Sequence, residues 1–173
     1  MDFLEMAKKR YSVRKYLPTP VEEEKLLKIL EAARVAPTAG NRQPQVLLVI
    51  RGEEGLARLR KGANVYGAPL AIMVCGDHDS VWKRRYDGKD HVDVDTTIVT
   101  DHIMHQATEL GLGTIWVCGF DPAVIKPEFN IPDHIEPVNI LGVGYAAPDA
   151  APTERHLSRK PLSETVKYES FQA

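Results

Sequence analysis

Arg10, Ser12 and Arg14 stand at alternate positions in the run R-Y-S-V-R, just past a basic helix end. Alternate side chains of an extended segment point the same way, so two guanidiniums and a hydroxyl converge on one side. A guanidinium is a planar fork of N–H donors, which suits a phosphate or another anion. The same residues also suit a solvated helix C-terminus that complements the helix dipole. The loop P-T-A-G-N-R-Q-P, Pro37 to Pro44, places Thr38, Asn41 and Gln43 around Gly40. Amide side chains both donate and accept, so they can read the mixed edge of a heterocycle, or else bond only their own backbone. In G-L-G-T-I-W-V-C-G-F-D, Gly111 to Asp121, the Cys118–Gly119 turn offers backbone N–H groups where a ligand can approach closely, although a turn alone also needs that glycine. Ser158, Arg159, Lys160 and Pro161 form a second small basic cluster near the end.

Other chemistries fit less well. Asp77, His78 and Asp79, then His91, Asp93 and Asp95, alternate as divalent-metal ligands do, but such alternation more often marks a solvated loop and a helix cap. We therefore expect no metal site. His102 and His105 are spaced i, i+3 with no Glu or further His to complete a ligand set, and read as core-edge or interface residues. No Ser/His/Asp arrangement for a side-chain nucleophile stands out.

The elements that must position these groups are legible in outline. Asp2 is expected to cap a first helix carrying Phe3, Leu4 and Ala7 and ending in Lys8, Lys9 and Arg10, with Ser12 to Leu17 extended beyond it. Thr19, Pro20 and Glu22 match an N-cap, a first-turn proline and a capping-box acid, and Leu26, Ile29, Leu30 and Ala33 follow at helical spacing. Pro37 stops that helix near Ala36. Val46 to Ile50 and Leu70 to Val74 read as strands covered on both faces, joined by a short helix around Glu54 to Arg60. The polar stretch from Asp77 to Asp93, with Trp82 and Tyr86, reads as a loop or lid. A long helix is expected from Val94 to Leu110, stopped by Gly111. A strand from Thr114 to Cys118, a short helix capped by Asp121 and Pro122, and a strand from Val138 to Tyr145 follow. The proline-bearing remainder from Ala146 should wrap a surface.

At 173 residues the chain makes one ordinary domain, and 43% hydrophobic against 27% charged residues supports one core. A net charge of −2 gives no global reason to expect nucleic acid or an anionic membrane as partner. Cys75 and Cys118 are too far apart in sequence for a zinc or redox CxxC motif and read as reduced thiols. The start lacks the pattern of a signal peptide and no stretch reaches membrane-span length, so a cytoplasmic protein is expected.

Taken in order and at these separations, the four segments resemble the nitroreductase family of FMN-dependent oxidoreductases, from about Ala7 to Val166. The resemblance implies an α+β fold, a mixed four- to five-stranded sheet flanked by helices. It implies an intertwined homodimer with FMN between subunits, the chain forming a single FMN-binding domain over 1–173 whose C-terminal arm, about 148–173, wraps the partner. It further implies that Arg10 and Arg159, helped by Lys160, hold the FMN phosphate, with Tyr11 beside them. Ser12 would contact the ribityl or ring region, and Arg14 would lie at the N1 and C2 carbonyl edge, favouring negative charge there. Pro37, Thr38, Ala39, Asn41 and Gln43 would belong to a loop that touches the other protomer's flavin. The backbone N–H groups of Cys118 and Gly119 would face N5 and O4. NADH or NADPH would supply hydride in ping-pong fashion for a nitroaromatic, quinone or related conjugated acceptor. A reductive dehalogenase, a flavin-fragmenting enzyme and a non-catalytic flavin-binding protein are the alternatives. Gln45 stands where many relatives carry an aromatic residue, Leu157 where some carry a second phosphate-binding Lys, and the segment between the second strand and the long helix is short.

Overall fold

The computed structural model describes residues 2–171. In chain order the helices are α1 (Phe3–Lys9), α2 (Glu23–Val35), α3 (Glu53–Leu59), α4 (Val92–Glu109), α5 (Pro122–Glu128) and α6 (Leu162–Thr165). The strands are β1 (Gln45–Ile50), β2 (Leu70–Asp77), β3 (Gly113–Val117) and β4 (Ile135–Gly144), forming one sheet in the order β1-β2-β4-β3. The architecture is α+β with four strands, and all three strand pairs are antiparallel. The parallel contribution is confined to the isolated Ser12–Thr114 bridge, where the segment after α1 lies beside β3.

The central strands are continuously apolar because both faces of the sheet are covered. Ile72, Val74, Leu141 and Val143 pack beneath α2 and α4, against Leu26, Ile29, Ala33, Val99, Ile103 and Ala107. Ala71, Met73, Cys75 and Ile140 face the other way, toward Leu56 and Leu59 of α3, Ile125 of α5, and Val65 and Ala68 of the connection into β2. Each fully buried large aliphatic side chain contributes about 1.5–3 kcal/mol by leaving water. The expectation of two-sided cover holds for β2. It fails for β1, an edge strand whose Val46 remains 44% exposed.

Local signals succeeded where the partner of the capping group is itself local. Asp121 accepts from the Ala123 N–H at 2.9 Å with Pro122 in the first turn of α5, as the Asp-Pro pair suggests. Gly111, at φ 79°, ends the long helix in a left-handed conformation that favours glycine. The Thr19–Pro20–Glu22 signal did not open its helix. α2 begins at Glu23 with Glu22 in the cap position and no side-chain cap bond, because Glu22 accepts the Tyr145 hydroxyl through both carboxylate oxygens at 2.7 and 2.8 Å. A long-range hydrogen bond has displaced a local one.

Strand alternation places the start of β1, the end of β2, the start of β4 and the end of β3 at one end of the sheet. The loop from Pro37 to Pro44, the segment 78–91 and the Cys118–Gly119 turn all lie at that end. The Asp77 N–H ties to Pro44 O at 2.9 Å, the His78 N–H ties to His134 O at 3.0 Å, and an irregularity in the β2–β4 register falls at Val74/Cys75, just before these connections.

Candidate functional site

The first cluster is built on the free edge of β3. The Val13 N–H donates to Thr114 O at 2.9 Å and the Val13 side chain is buried, so the strand edge and the core together hold Tyr11 to Val13 extended. Alternation then turns Ser12 and Arg14 away from Val13. The exposed Arg14 guanidinium lies 5.7 Å from the centroid of the Tyr66 ring and donates to Ser12 O at 3.2 Å. Arg10 and Tyr11 line a cavity of about 190 Å3 together with Thr108, Leu112, Thr114 and Ala146. Tyr66 was missed by sequence reasoning: it belongs to the connection that crosses the sheet before β2, and nothing in N-V-Y-G announces a cation–π partner.

The Cys118–Gly119 turn closes the far end of the same strand. Among the described residues neither N–H has a backbone or side-chain acceptor, and a Cβ placed on Gly119 would meet nothing within 4 Å. Both residues of the turn are exposed. The Cys118 thiol is exposed, whereas Cys75 is buried and desolvation pushes its thiol up to about 12.

The C-terminal segment returns to this edge. His156 Nε2 lies 3.1 Å from Lys8 O, the His156 ring packs edge-on against Tyr11 at 6.3 Å, and the Tyr11 hydroxyl donates to Ala150 O at 3.3 Å. Arg159 and Lys160 follow just past His156. Arg159 donates to Ser158 O at 2.7 Å, and Lys160 lies 3.9 Å from Glu164. The two basic clusters thus sit on segments that dock onto one another, with Arg159 and Lys160 both exposed.

The second cluster is elsewhere. The loop from Pro37 to Gln43 leads into β1, at the opposite edge of the sheet, about 14 Å away by three strand spacings. Thr38 Oγ1 accepts the Gln43 N–H at 3.0 Å, the Asn41 N–H donates to Thr38 O at 2.9 Å, and Gln43 Nε2 donates to Asn41 O at 3.4 Å. Gly40, Asn41 and Gln43 have φ of 57°, 52° and 52°, an unusual density of left-handed residues. Within one chain, then, Arg10, Ser12 and Arg14 are strung beside β3 with Cys118 and Gly119 at its end, and Thr38, Ala39, Asn41 and Gln43 lie at the opposite edge of the sheet. Gln45 follows at the start of β1 with its Oε1 buried and without a partner.

The segment 78–91 lies across the same sheet end and is fastened by His78, which faces Glu136 at 2.6 Å and Asp90 at 3.1 Å. The Glu136 carboxylate and then Asp90 raise the His78 pKa against a desolvation that opposes them. Asp77 and Asp79 converge with His134, yet Asp77 Oδ1 already accepts the Asp79 N–H at 2.9 Å, as in an Asx turn. His102 and His105 line a groove of about 610 Å3 between α1, α2 and α4, with Phe3, Met6 and Val35.

The fold is a four-stranded antiparallel sheet covered on both faces, with the Arg10–Arg14 segment along the β3 edge and the Cys118–Gly119 turn at its end. A model of the family described as the nitroreductase family matches residues 7–64 and 57–145. A protein of Methanothermobacter thermautotrophicus named NADH dehydrogenase/NAD(P)H nitroreductase is 35% identical over 161 residues, 85% of this chain and 78% of that one. A nitroreductase family protein from Clostridium difficile 630 superposes with TM-score 0.94 at 57% identity, covering 99% of this chain and 100% of that chain. An FMN-dependent nitroreductase from Clostridium difficile R20291 superposes with TM-score 0.79 at 29% identity, covering 97% and 99%. The chain belongs to the nitroreductase family, as the resemblance in its sequence implied.

Proposed function

We propose that the chain is an FMN-dependent NAD(P)H oxidoreductase that reduces nitroaromatics, quinones or related conjugated acceptors. One observation carries this reading: Arg10, Ser12 and Arg14 lie along the edge of the strand whose end presents the free Cys118 and Gly119 N–H groups. That donor set fits FMN, since cations suit a phosphate and an electron-rich ring edge, and paired N–H groups suit the ring acceptors. The chemistry that bound FMN supplies is hydride transfer in two half-reactions, first from NADH or NADPH and then to the acceptor.

Arg10 and Arg159, with Lys160, would hold the phosphate. Arg14, kept in place by Tyr66, would stabilise negative charge on the ring edge it faces. The Cys118 and Gly119 N–H groups would orient the ring without side-chain chemistry, so the Cys118 thiol takes no part. Ser12 would fix the sugar-chain side.

The same reading makes each chain half of two sites in a homodimer. The separation of the Thr38–Gln43 loop from the β3 edge supports it, because a loop about 14 Å away across the sheet is free to serve another chain. Exposed apolar side chains support it as well: Phe3, Leu4 and Val35 near the groove, and Leu157, Leu162, Tyr168 and Phe171 in an arm over 148–173 for which a partner surface would provide cover. We place the enzyme in the cytoplasm, where free thiols such as Cys75 and Cys118 stay reduced. Among the described residues no helix is long and apolar enough to cross a membrane.

The test is optical. Purified protein should be yellow or turn yellow on FMN addition, bleach with NADH or NADPH without air, and recover colour with a nitro compound or quinone. A protein that takes up no FMN overturns the proposal, and one that binds FMN but never bleaches is a flavin-binding protein only.

A further inference from the structure

Asp95 is a fully buried carboxylate, at 0% exposure, in the first turns of α4. Burying an ionisable group is costly unless it is partnered. Its Oδ1 accepts the Ala39 N–H at 2.8 Å, whereas Oδ2 is buried with no partner. The recorded partner is therefore not a neighbour on its own helix but the backbone of the Pro37–Gln43 loop.

That loop is where backbone strain concentrates. Three of the four residues Gly40, Asn41, Arg42 and Gln43 have positive φ, and two of those are not glycine. Such conformations persist only where surrounding structure over-determines them. Two supports reach the loop from outside. Asp95 grips the Ala39 N–H, and the Trp82 ring lies against Gly40, 3.1 Å from where a Cβ would stand. Trp82 is itself braced edge-on by the His91 ring at 4.8 Å and 85°, and the His91 carbonyl accepts the Asp95 N–H at 2.9 Å. One turn of helix thus supplies both the anchor and the brace.

We propose that Asp95 is a positioning residue: it fixes the strained Thr38–Gln43 loop in the form that contacts flavin, with Trp82 closing the same loop from outside. This rests on the reading of the chain as an FMN protein whose loop serves the neighbouring subunit, and adds to it a residue that touches no cofactor.

The experiment compares Asp95→Ala, Asp95→Asn and Asp93→Ala with wild type, at a temperature well below the melting point of each. Asp93 is exposed on the same turn, so its variant controls for a lost charge near the start of α4. In the apo-protein, hydrogen exchange at the Ala39 amide should accelerate at least tenfold in Asp95→Ala, with no change at the buried amides of β2, and in Asp93→Ala it should stay as in wild type. The FMN Kd should rise about tenfold or more in Asp95→Ala, because a loop released from its anchor spends less time in the form that binds. Asp95→Asn keeps an oxygen for Ala39 and should recover part of both effects. Unchanged Ala39 exchange in a folded Asp95→Ala overturns the anchor. Faster exchange with wild-type FMN affinity shows a structural anchor only and overturns the positioning role, leaving the flavin reading intact. A wild-type protein that binds no FMN overturns both.

Discussion

The two edges of the sheet are built on opposite principles. At the β3 edge the chain covers its own strand: Tyr11 to Val13 lie beside it, Val13 is buried, and the chemically useful side chains follow from alternation. At the β1 edge the loop feeding the strand is bent through left-handed residues and held from outside by Asp95 and Trp82. One edge presents charge and open N–H donors, the other amides and a hydroxyl. The sheet keeps them at opposite edges within a chain, and on the proposed reading a second copy brings them into one site.

The sharpest way to break this contrast is to remove charge from the β3 side. Arg10→Ala combined with Arg159→Ala should raise the FMN Kd about 100-fold or more, because each charge-assisted hydrogen bond contributes about 1.5–3 kcal/mol. Isothermal titration of the apo-protein measures it, and wild-type affinity would remove the phosphate from this edge. Arg14→Ala should act on the ring, not on retention. The flavin midpoint potential should fall by about 30 mV, equivalent to about 1.4 kcal/mol for a two-electron couple, with a smaller change in Kd. A potential that stays put would separate Arg14 from the reacting ring.

The smallest effect concerns the sheet end shared by both edges. His78 has its pKa raised by Glu136 and then Asp90, so the proton stabilises the folded chain. The contribution is complete below the unfolded imidazole value of about 6.5 and is lost as pH rises through the higher folded value. NMR titration of the His78 ring should give a midpoint above about 6.5 that drops in Glu136→Gln. A midpoint at or below that value would show that the segment 78–91 is not fastened by this pair of carboxylates.

Legibility in the sequence followed the range of the interactions. The Asp121–Pro122 cap, the Gly111 stop and the two-sided β2 run are local or compositional, and were readable. The first turn of α2 was not, since Glu22 is taken by Tyr145, 123 residues away. The exposed face of β1 was not, because an apolar run does not reveal whether its strand is central or at an edge. Among candidate site residues, Arg10, Ser12, Arg14, Cys118 and Gly119 stand out by motif, and the structure sets Ser12 beside β3 and the Cys118–Gly119 turn at its end. The alternation of acids and histidines points to a solvated cap at Asp95, which is instead fully buried, and nothing in the sequence marks Tyr66 or Trp82 as neighbours of the candidate site residues. Their contacts depend on segments that cross the sheet or lie against the loop, and no spacing rule encodes that.

By itself the sequence determined the periodicities, the turn chemistry and the order of the motifs, which sufficed for the family. Those are properties of short windows, where side-chain spacing and backbone preference act directly. Tertiary structure alone decided which strand became an edge, which carboxylate was buried against the Ala39 N–H, and that the Arg10–Arg14 segment and the Thr38–Gln43 loop lie at opposite edges of the sheet. These depend on packing between residues distant in the chain, where burial and hydrogen-bond competition override the local preference.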